Sequence, residues 1–240
     1  MRRTIVLTAL VLAATVAVAG RAAAYEAVAV TDGGTLSGTV KFAGTPPAAG
    51  KIEVTKDPEV CGKDKVKPDL IVGSGGGLAN AVVVVKATKG KKLEAPATNP
   101  VFDQKACEFH PHVLAFPAGS TIDVTNSDGI LHNIHTFSTT NPATNQAQPK
   151  FKPKIQLKVE KAEWPIKVVC DAHGWMSAYW LAMDQPYFAV TGEDGSFKIA
   201  DLPAGDYEVE VWHETLGKAT QKASIKAKEE TKVSWEMKKS

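Results

Sequence analysis

Two short stretches of the sequence hold the side chains best suited to bind a metal ion. Val168–Met176 reads VVCDAHGWM and supplies a cysteine, a histidine and a methionine, while Ile130–Asn133 reads ILHN and supplies a second histidine. Two imidazoles and a thiolate, with a thioether as a weak and distant donor, form a set that binds copper as Cu(I) and as Cu(II). The predicted ligands of one copper ion are His132, Cys170, His173 and Met176.

Each of these residues has an ordinary explanation when taken alone. A single methionine in a β-protein is core packing, a single cysteine is half of a disulfide, and a single histidine lies at the surface or in the core. Their combination at this spacing favours copper. Soft sulfur favours Cu(I) and imidazole suits Cu(II), so one compromise geometry serves both states and lets a single electron move with little rearrangement.

The elements that must hold these ligands are β-strands. Short runs rich in valine, isoleucine, threonine and aromatic residues alternate with period two between glycine, proline, asparagine and aspartate, as in Thr121 to Thr125 and Tyr207 to Trp212. Helix patterns are almost absent, so we predict an all-β protein built from sandwiches. Cys170 closes an apolar strand, His173 and Met176 follow in a tight turn, and His132 comes from a separate loop. The polar stretch from Thr139 to Lys154 is predicted to be a long loop.

The first 24 residues have the layout of a secretory signal peptide, with Arg2 and Arg3 before an apolar run and small residues ending at Ala24. We therefore expect an exported protein, periplasmic or secreted, and no later stretch has the length of a membrane span. The chain has 28 basic and 26 acidic residues, and the leader holds all three arginines and no acid, so the remainder is close to neutral. Without arginine or a basic excess, nucleic-acid binding is not expected.

The chain contains three cysteines. In an exported protein two should pair and the third needs another explanation. Cys61 and Cys107 form the natural pair, which would staple two domains together, and Cys170 then stays free as the thiolate ligand. A pairing that involves Cys170 would destroy the metal site.

The stretch Phe109–Asn133 (FHPHVLAFPAGSTIDVTNSDGILHN), followed by VVCDAHGWM, resembles the plastocyanin, pseudoazurin and amicyanin branch of the cupredoxins. The shared features are a Phe-x-Pro strand, a glycine turn, a strand ending in asparagine, His-Asn, and Cys-x-x-His-x-x-Met. The resemblance implies a Greek-key copper sandwich over residues 98–184. It also implies that the ligand histidine of the Cys170 loop reaches an apolar surface, formed here by Ile130, Leu131 and Trp175, through which electrons pass.

The same resemblance leaves several neighbouring residues to be placed. Asn133 is expected to pin the ligand loops by hydrogen bonds. Amicyanin-like sequences also carry His-Asn-x-His with the first histidine as ligand, which corresponds to His132, and His135 is the alternative. His112 is expected to be a hydrogen-bonded packing residue, and His110 or His112 as a further copper position is the lesser alternative.

The two ends of the chain resemble the halves of another sandwich. Gly38–Pro47 and Ala79–Lys86 look like the opening strands of a carboxypeptidase regulatory-like domain, and Phe188–Trp212 looks like its closing strands. We therefore expect residues 25–97 and 185–240 to form one such sandwich around an inserted copper domain, the alternative being two adjacent sandwiches.

These observations predict a periplasmic electron carrier that meets redox protein partners briefly. The alternatives are copper capture, storage or delivery, and a structural module with a vestigial copper site. No nucleophile triad, paired carboxylates or zinc-protease pattern is evident, so neither an enzyme nor a small-molecule substrate is expected.

Overall fold

The computed structural model describes residues 25–239, and the predicted signal peptide, residues 1–24, lies outside them. The described part is almost entirely β-structure, which confirms the all-β prediction. It contains a short helix, α1 (Pro58–Cys61), a 3₁₀ turn at Ser74–Gly76, and twenty strands. Among these residues no helix is long and apolar enough to cross a membrane.

The strands are numbered in chain order. The first ten are β1 Glu26–Ala27, β2 Gly34–Phe42, β3 Lys51–Glu53, β4 Asp64–Val66, β5 Val82–Val85, β6 Lys89–Gly90, β7 Val101–Lys105, β8 Glu108–His110, β9 Val113–Pro117 and β10 Ser120–Asn126. The other ten are β11 His132–Phe137, β12 Asn145–Gln148, β13 Lys154–Val159, β14 Glu163–Val169, β15 Ser177–Met183, β16 Phe188–Val190, β17 Ser196–Leu202, β18 Gly205–His213, β19 Gly217–Ile225 and β20 Glu230–Met237.

The central part of the chain forms one sandwich, which we call the metal sandwich. Its sheets have the strand orders β13-β10-β7-β8 and β12-β11-β14-β15-β9. Strand β10 shows why the sequence folds this way, since its side chains alternate between buried and partly exposed positions along STIDVTN. Ile122 of β10 joins Phe102 and Trp180 in the core between the sheets. Burying one such apolar side chain contributes about 1.5–3 kcal/mol.

The two ends of the chain form a second sandwich, which we call the outer sandwich. Its sheets have the orders β16-β5-β18-β19 and β17-β2-β20. Strand β2 pairs antiparallel with β17 and parallel with β20, and β5 lies between β16 and β18. The chain therefore leaves the outer sandwich after β5 and returns to it at β16. The resemblance of this sandwich to regulatory-like domains stays a prediction.

A contact made of buried apolar side chains joins the two sandwiches. Strand β5 is a run of four valines buried on both faces: Val83 and Val85 belong to the core of the outer sandwich, whereas Val82 and Val84 face the metal sandwich. A strand covered on both sides loses the usual polar alternation, which explains the VVVV sequence. The other buried members of this contact are Val113, Leu181, Met183 and Trp212.

Residues 51–66 form a separate excursion, which we call the cover segment. Strands β3 and β4 pair with each other in a two-stranded sheet, and α1 lies between them in the chain. This segment precedes β5 in sequence, yet Val54 and Val60 pack against the core of the metal sandwich. It therefore places residues from outside the metal sandwich beside the predicted ligands.

The prediction of a long polar loop from Thr139 to Lys154 is wrong in part, because β12 lies within this stretch and β13 begins at Lys154. Strand β12 is the edge strand that pairs with β11. Its polar side chains suit an edge position, and its last residue, Gln148, turns inward and is fully buried. Gln148 Nε2 donates to the Val124 carbonyl over 3.1 Å, and Gln148 Oε1 accepts from Gln104 at 2.7 Å. Because the inward residue of β12 is a polar side chain held by hydrogen bonds, the sequence of this strand shows no alternation of apolar and polar residues.

Candidate metal centre

Three of the four predicted ligands meet at one point. A ring nitrogen of His132, a ring nitrogen of His173 and the sulfur of Cys170 all lie within 4.8 Å of one another. The two Nδ1 atoms are 3.0 Å apart, and Cys170 Sγ lies 3.7 Å and 3.9 Å from them. Donor atoms that share one ion at about 2.0–2.3 Å must be spaced in this way. All three side chains are buried, with at most 1 % of each residue exposed.

Secondary structure sets these positions. His132 is the first residue of β11, Cys170 follows the last residue of β14, and His173 lies in the turn that leads into β15. Within that turn the Met176 N–H donates to the His173 carbonyl over 2.9 Å, and the Cys170 N–H donates to the Met176 carbonyl over 3.3 Å. Met176 is buried in the same apolar cluster as Cys170. Its role as the fourth ligand stays a prediction.

Asn133 holds the ligand turn closed. Its Oδ1 accepts hydrogen bonds from the backbone N–H groups of Asp171 at 2.7 Å and Ala172 at 3.2 Å, and it lies 3.4 Å from Cys170 Sγ. Its Nδ2 donates to Asn145 on the edge strand β12 over 2.8 Å. Asn133 thus makes the loop-pinning bonds expected from the sequence. A side chain that ties two ligand-bearing elements together limits how far the donor atoms can separate.

Each imidazole has a carboxylate at its outer nitrogen. His132 Nε2 lies 2.9 Å from Asp128 Oδ2, and His173 Nε2 lies 2.9 Å from Asp57 Oδ2. A carboxylate acceptor at Nε2 places the ring proton there and leaves Nδ1 with a free lone pair. Two such lone pairs and the sulfur atom of Cys170 then converge. This donor set fits a soft, positively charged metal ion.

Burial sets the charge of the groups in the metal-free protein. It lowers the pKa of His132, an effect opposed by the hydrogen bond to Asp128, and it raises the pKa of the Cys170 thiol, opposed by backbone hydrogen bonds. His132 is therefore neutral and ready to donate a lone pair. Cys170 is a protonated thiol near neutral pH, so binding a metal must release its proton.

The disulfide between Cys61 and Cys107 is present, and Cys170 is the free cysteine, as predicted. The disulfide joins Cys61, which precedes the metal sandwich in the chain, to Cys107 near the first strands of that sandwich, and its use as a staple between two domains stays a prediction. The bridge ties the cover segment to the turn between β7 and β8, and both of its sulfurs lie within 4.8 Å of a ring nitrogen of His173. It therefore lies beside the candidate metal centre.

Sequence reasoning missed Asp57 and Asp128. Asp128 had a usable signal, because it stands four residues before His132 in an Asp-Gly turn. Asp57 had none, since 116 residues separate it from His173. The expected exposure of the Cys170-loop histidine was also wrong: His173 is fully buried, with Asp57 at its outer nitrogen and Trp175 packed against its ring. Leu131, by contrast, is half exposed.

The remaining histidines lie away from the donor cluster. His135 faces Asp171 at 3.1 Å and stacks on Phe137. His110 is about half exposed and lies 3.7 Å from Glu108. His112, largely buried, hydrogen-bonds to Glu214 of the outer sandwich. None of them belongs to the donor group formed by His132, Cys170 and His173.

Comparison with known proteins gives structural neighbours only. No known family's sequence profile matches the chain, and no curated protein matches it. A purple cupredoxin from Nitrosopumilus maritimus is 18% identical, with 35% of this chain and 100% of that chain covered and a TM-score of 0.31. Amicyanin from Paracoccus versutus is 17% identical, with 42% and 97% covered and a TM-score of 0.32.

A third neighbour is a larger protein. The copper-containing nitrite reductase of Thermus scotoductus is 16% identical, with 38% of this chain but 25% of the reductase covered and a TM-score of 0.31. The three neighbours, a purple cupredoxin, an amicyanin and a nitrite reductase, each match less than half of this chain.

Proposed function

We propose that this protein binds one copper ion between His132, Cys170, His173 and Met176 and carries single electrons between protein partners outside the cytoplasm. The observation that carries the proposal is the buried triangle of two Nδ1 atoms and one Sγ. Copper supplies the change between Cu(I) and Cu(II) when it is bound. The chain's own residues hold the donor atoms in place.

The surroundings of the triangle favour an electron carrier. The outer nitrogens of both rings are fixed by carboxylates, and Asn133 fixes the backbone after Cys170. Donor atoms that cannot move far keep nearly the same geometry in both oxidation states, and a small rearrangement favours fast electron exchange. Met176 would supply a weak thioether donor to the ion, and such a donor would tune its potential.

We further propose that the metal sandwich is a domain, residues 98–184, inserted into an outer domain made of residues 25–97 and 185–240. The pairing of β2 and β5 with strands that follow residue 184 supports this division. The apolar contact around Val82, Val84 and Trp212 gives the two domains a shared buried surface. The two sheets of the outer domain then serve as a mount for the metal sandwich, whereas the cover segment, which belongs to residues 25–97, reaches the metal centre through Asp57.

Copper capture or delivery without electron transfer is the second candidate. It is favoured by the complete burial of both imidazoles, because the usual exposed edge of a ligand histidine is missing. A protein built to retain or hand over copper does not need such an edge.

Copper titration of the exported protein tests the first proposal. We expect one Cu(II) per chain and an intense visible band from the thiolate, both lost in Cys170→Ser. Repeated reduction and reoxidation should then proceed in the presence of a Cu(I) chelator without loss of metal. Release of copper within a few cycles favours delivery, and failure to bind copper would overturn both candidates.

A further inference from the structure

The cover segment is anchored to the metal sandwich at four points. Lys56 Nζ donates to the Ala172 carbonyl over 3.3 Å, directly before His173 in the ligand turn. Lys65 Nζ, whose side chain is only 7% exposed, pairs with Glu108 at 3.0 Å. The other two anchors are the Cys61–Cys107 bridge and the contact of Asp57 with His173. Two of the four therefore act on the ligand turn itself.

Asp57 occupies the most informative of these positions. Its carboxylate lies against the outer nitrogen of His173, whose ring has no exposed surface, whereas 31% of the Asp57 side chain remains exposed. Its backbone carbonyl accepts the N–H of Cys61 over 2.9 Å, so the disulfide fixes the residue four positions after Asp57. Asp57 thus lies between the Nε2 edge of the ligand imidazole and water, while Trp175 packs against the ring with 5.2 Å between the centroids.

The backbone at Asp57 agrees with a positional role. Asp57 has φ 49 and ψ 47, in the left-handed region. Aspartate and asparagine tolerate this region better than most residues, and glycine adopts it freely. Substitutions to asparagine or glycine should therefore leave the segment folded.

We propose that Asp57 is a positioning residue for His173 and, together with the cover segment, the seal of the metal centre. The carboxylate holds the proton of His173 on Nε2, presents Nδ1 to the metal and adds negative charge that favours the more highly charged Cu(II). The seal excludes water and chelators from the edge of the ring. The metal in this statement rests on the proposed function, whereas the seal concerns the histidine itself.

The seal is tested on metal-free protein by reaction with diethyl pyrocarbonate, which modifies accessible imidazoles, followed by peptide mass spectrometry. The half-exposed His110 serves as an internal reference. In the wild-type protein His173 should stay unmodified while His110 reacts fully, and in Asp57→Gly both should react. Equal reaction of the two histidines in the wild type, or a protected His173 in folded Asp57→Gly, would overturn the seal.

The positioning role is tested on the copper-loaded protein with Asp57→Asn. We expect Cu(II) affinity to fall by about 10- to 100-fold, as is typical when the partner of a ligand histidine is changed. The reduction potential should rise, because the charge that favours Cu(II) is lost. Glu59→Gln is the matched control, since Glu59 is an exposed carboxylate on the same segment. Its potential and affinity should match those of the wild type.

The outcomes separate the two proposals. An unchanged potential in Asp57→Asn would overturn the positioning role while leaving copper binding intact. If the wild-type protein binds no copper, the proposed function fails, and the labelling of His173 still decides the seal.

Discussion

His132 and His173 each face one carboxylate at 2.9 Å, but the two carboxylates come from different parts of the molecule. Asp128 stands four residues before His132, and its side chain is 5% exposed. Asp57 belongs to the cover segment, outside the metal sandwich, and is 31% exposed. One half of the site is thus built by a local turn, and the other half is complete only when a distant segment docks.

The two carboxylates also differ in what else they hold. Asp128 accepts the backbone N–H groups of Ala106 and Cys107, which form the turn between β7 and β8. Both turn residues have positive φ, 52° and 55°, without being glycine. A turn of this kind is costly for residues with a side chain, so it needs the acceptors that Asp128 provides. Among the described residues, the Asp57 carboxylate hydrogen-bonds to His173 and accepts no backbone N–H group. The comparison therefore separates a carboxylate that holds the fold from one that holds only the site.

The largest effect should come from Asp128→Ala. The N–H groups of Ala106 and Cys107 and the ring of His132 lose their acceptor. Ala106 is exposed, so at about 1–3 kcal/mol for each of the two buried groups the loss in unfolding free energy should be about 2–6 kcal/mol. Asp57→Ala should cost about 1 kcal/mol, chiefly for alanine in the left-handed region. Urea unfolding of the metal-free variants measures both. Equal losses would remove the distinction between the two halves.

Removal of the disulfide should come next. Cys61→Ser with Cys107→Ser opens a bridge between residues 46 apart in sequence and should cost about 2–4 kcal/mol. Because the bridge anchors the cover segment, amide hydrogen exchange should increase most in residues 51–66, while β10 and β14 in the metal sandwich keep their protection. A uniform increase across the metal sandwich would show that the bridge supports the whole fold.

The sequence predicts the parts of this site that are local. Cys170, His173 and Met176 lie within seven residues, and alternation of apolar residues marks the strands around them. Asp57 escapes such reasoning because a hydrogen bond between residues far apart in the chain leaves no spacing to recognise. The same limit applies to β12, whose inward residue is a hydrogen-bonded glutamine. The fold class follows from repeated patterns, whereas the burial of His173 depends on tertiary contacts, among them that with Asp57.

A smaller effect concerns pH and the His132 half of the site. Burial lowers the pKa of His132 and that of His213 in the outer sandwich. The unfolded chain therefore binds more protons below its own histidine pKa of about 6.5, and stability that is present above that pH is lost as the pH falls towards the folded values. The slope is at most about 1.4 kcal/mol per pH unit for each histidine.

Urea unfolding of the metal-free protein between pH 7.5 and pH 5 measures this slope. In His213→Gln the slope of unfolding free energy against pH should decrease by at most about 1.4 kcal/mol per pH unit, which corresponds to one proton. Copper binding should stay unchanged, since His213 lies outside the donor cluster. His132→Gln should flatten the slope similarly and abolish the site. If neither variant changes the slope, both histidines titrate in the folded protein as they do in the unfolded chain.

The smallest structural change with a clear readout is Met176→Leu. Leucine keeps nearly the same volume in the apolar cluster, so the unfolding free energy should change by less than about 1.5 kcal/mol. If Met176 is the weak axial donor, its loss disfavours Cu(II) more than Cu(I), and the reduction potential should rise while the thiolate band stays. Met183→Leu is the matched control, because Met183 is equally buried in the contact between the sandwiches. An unchanged potential in Met176→Leu would remove Met176 from the ligand set and leave Asp57 as the residue that sets the potential on the His173 half.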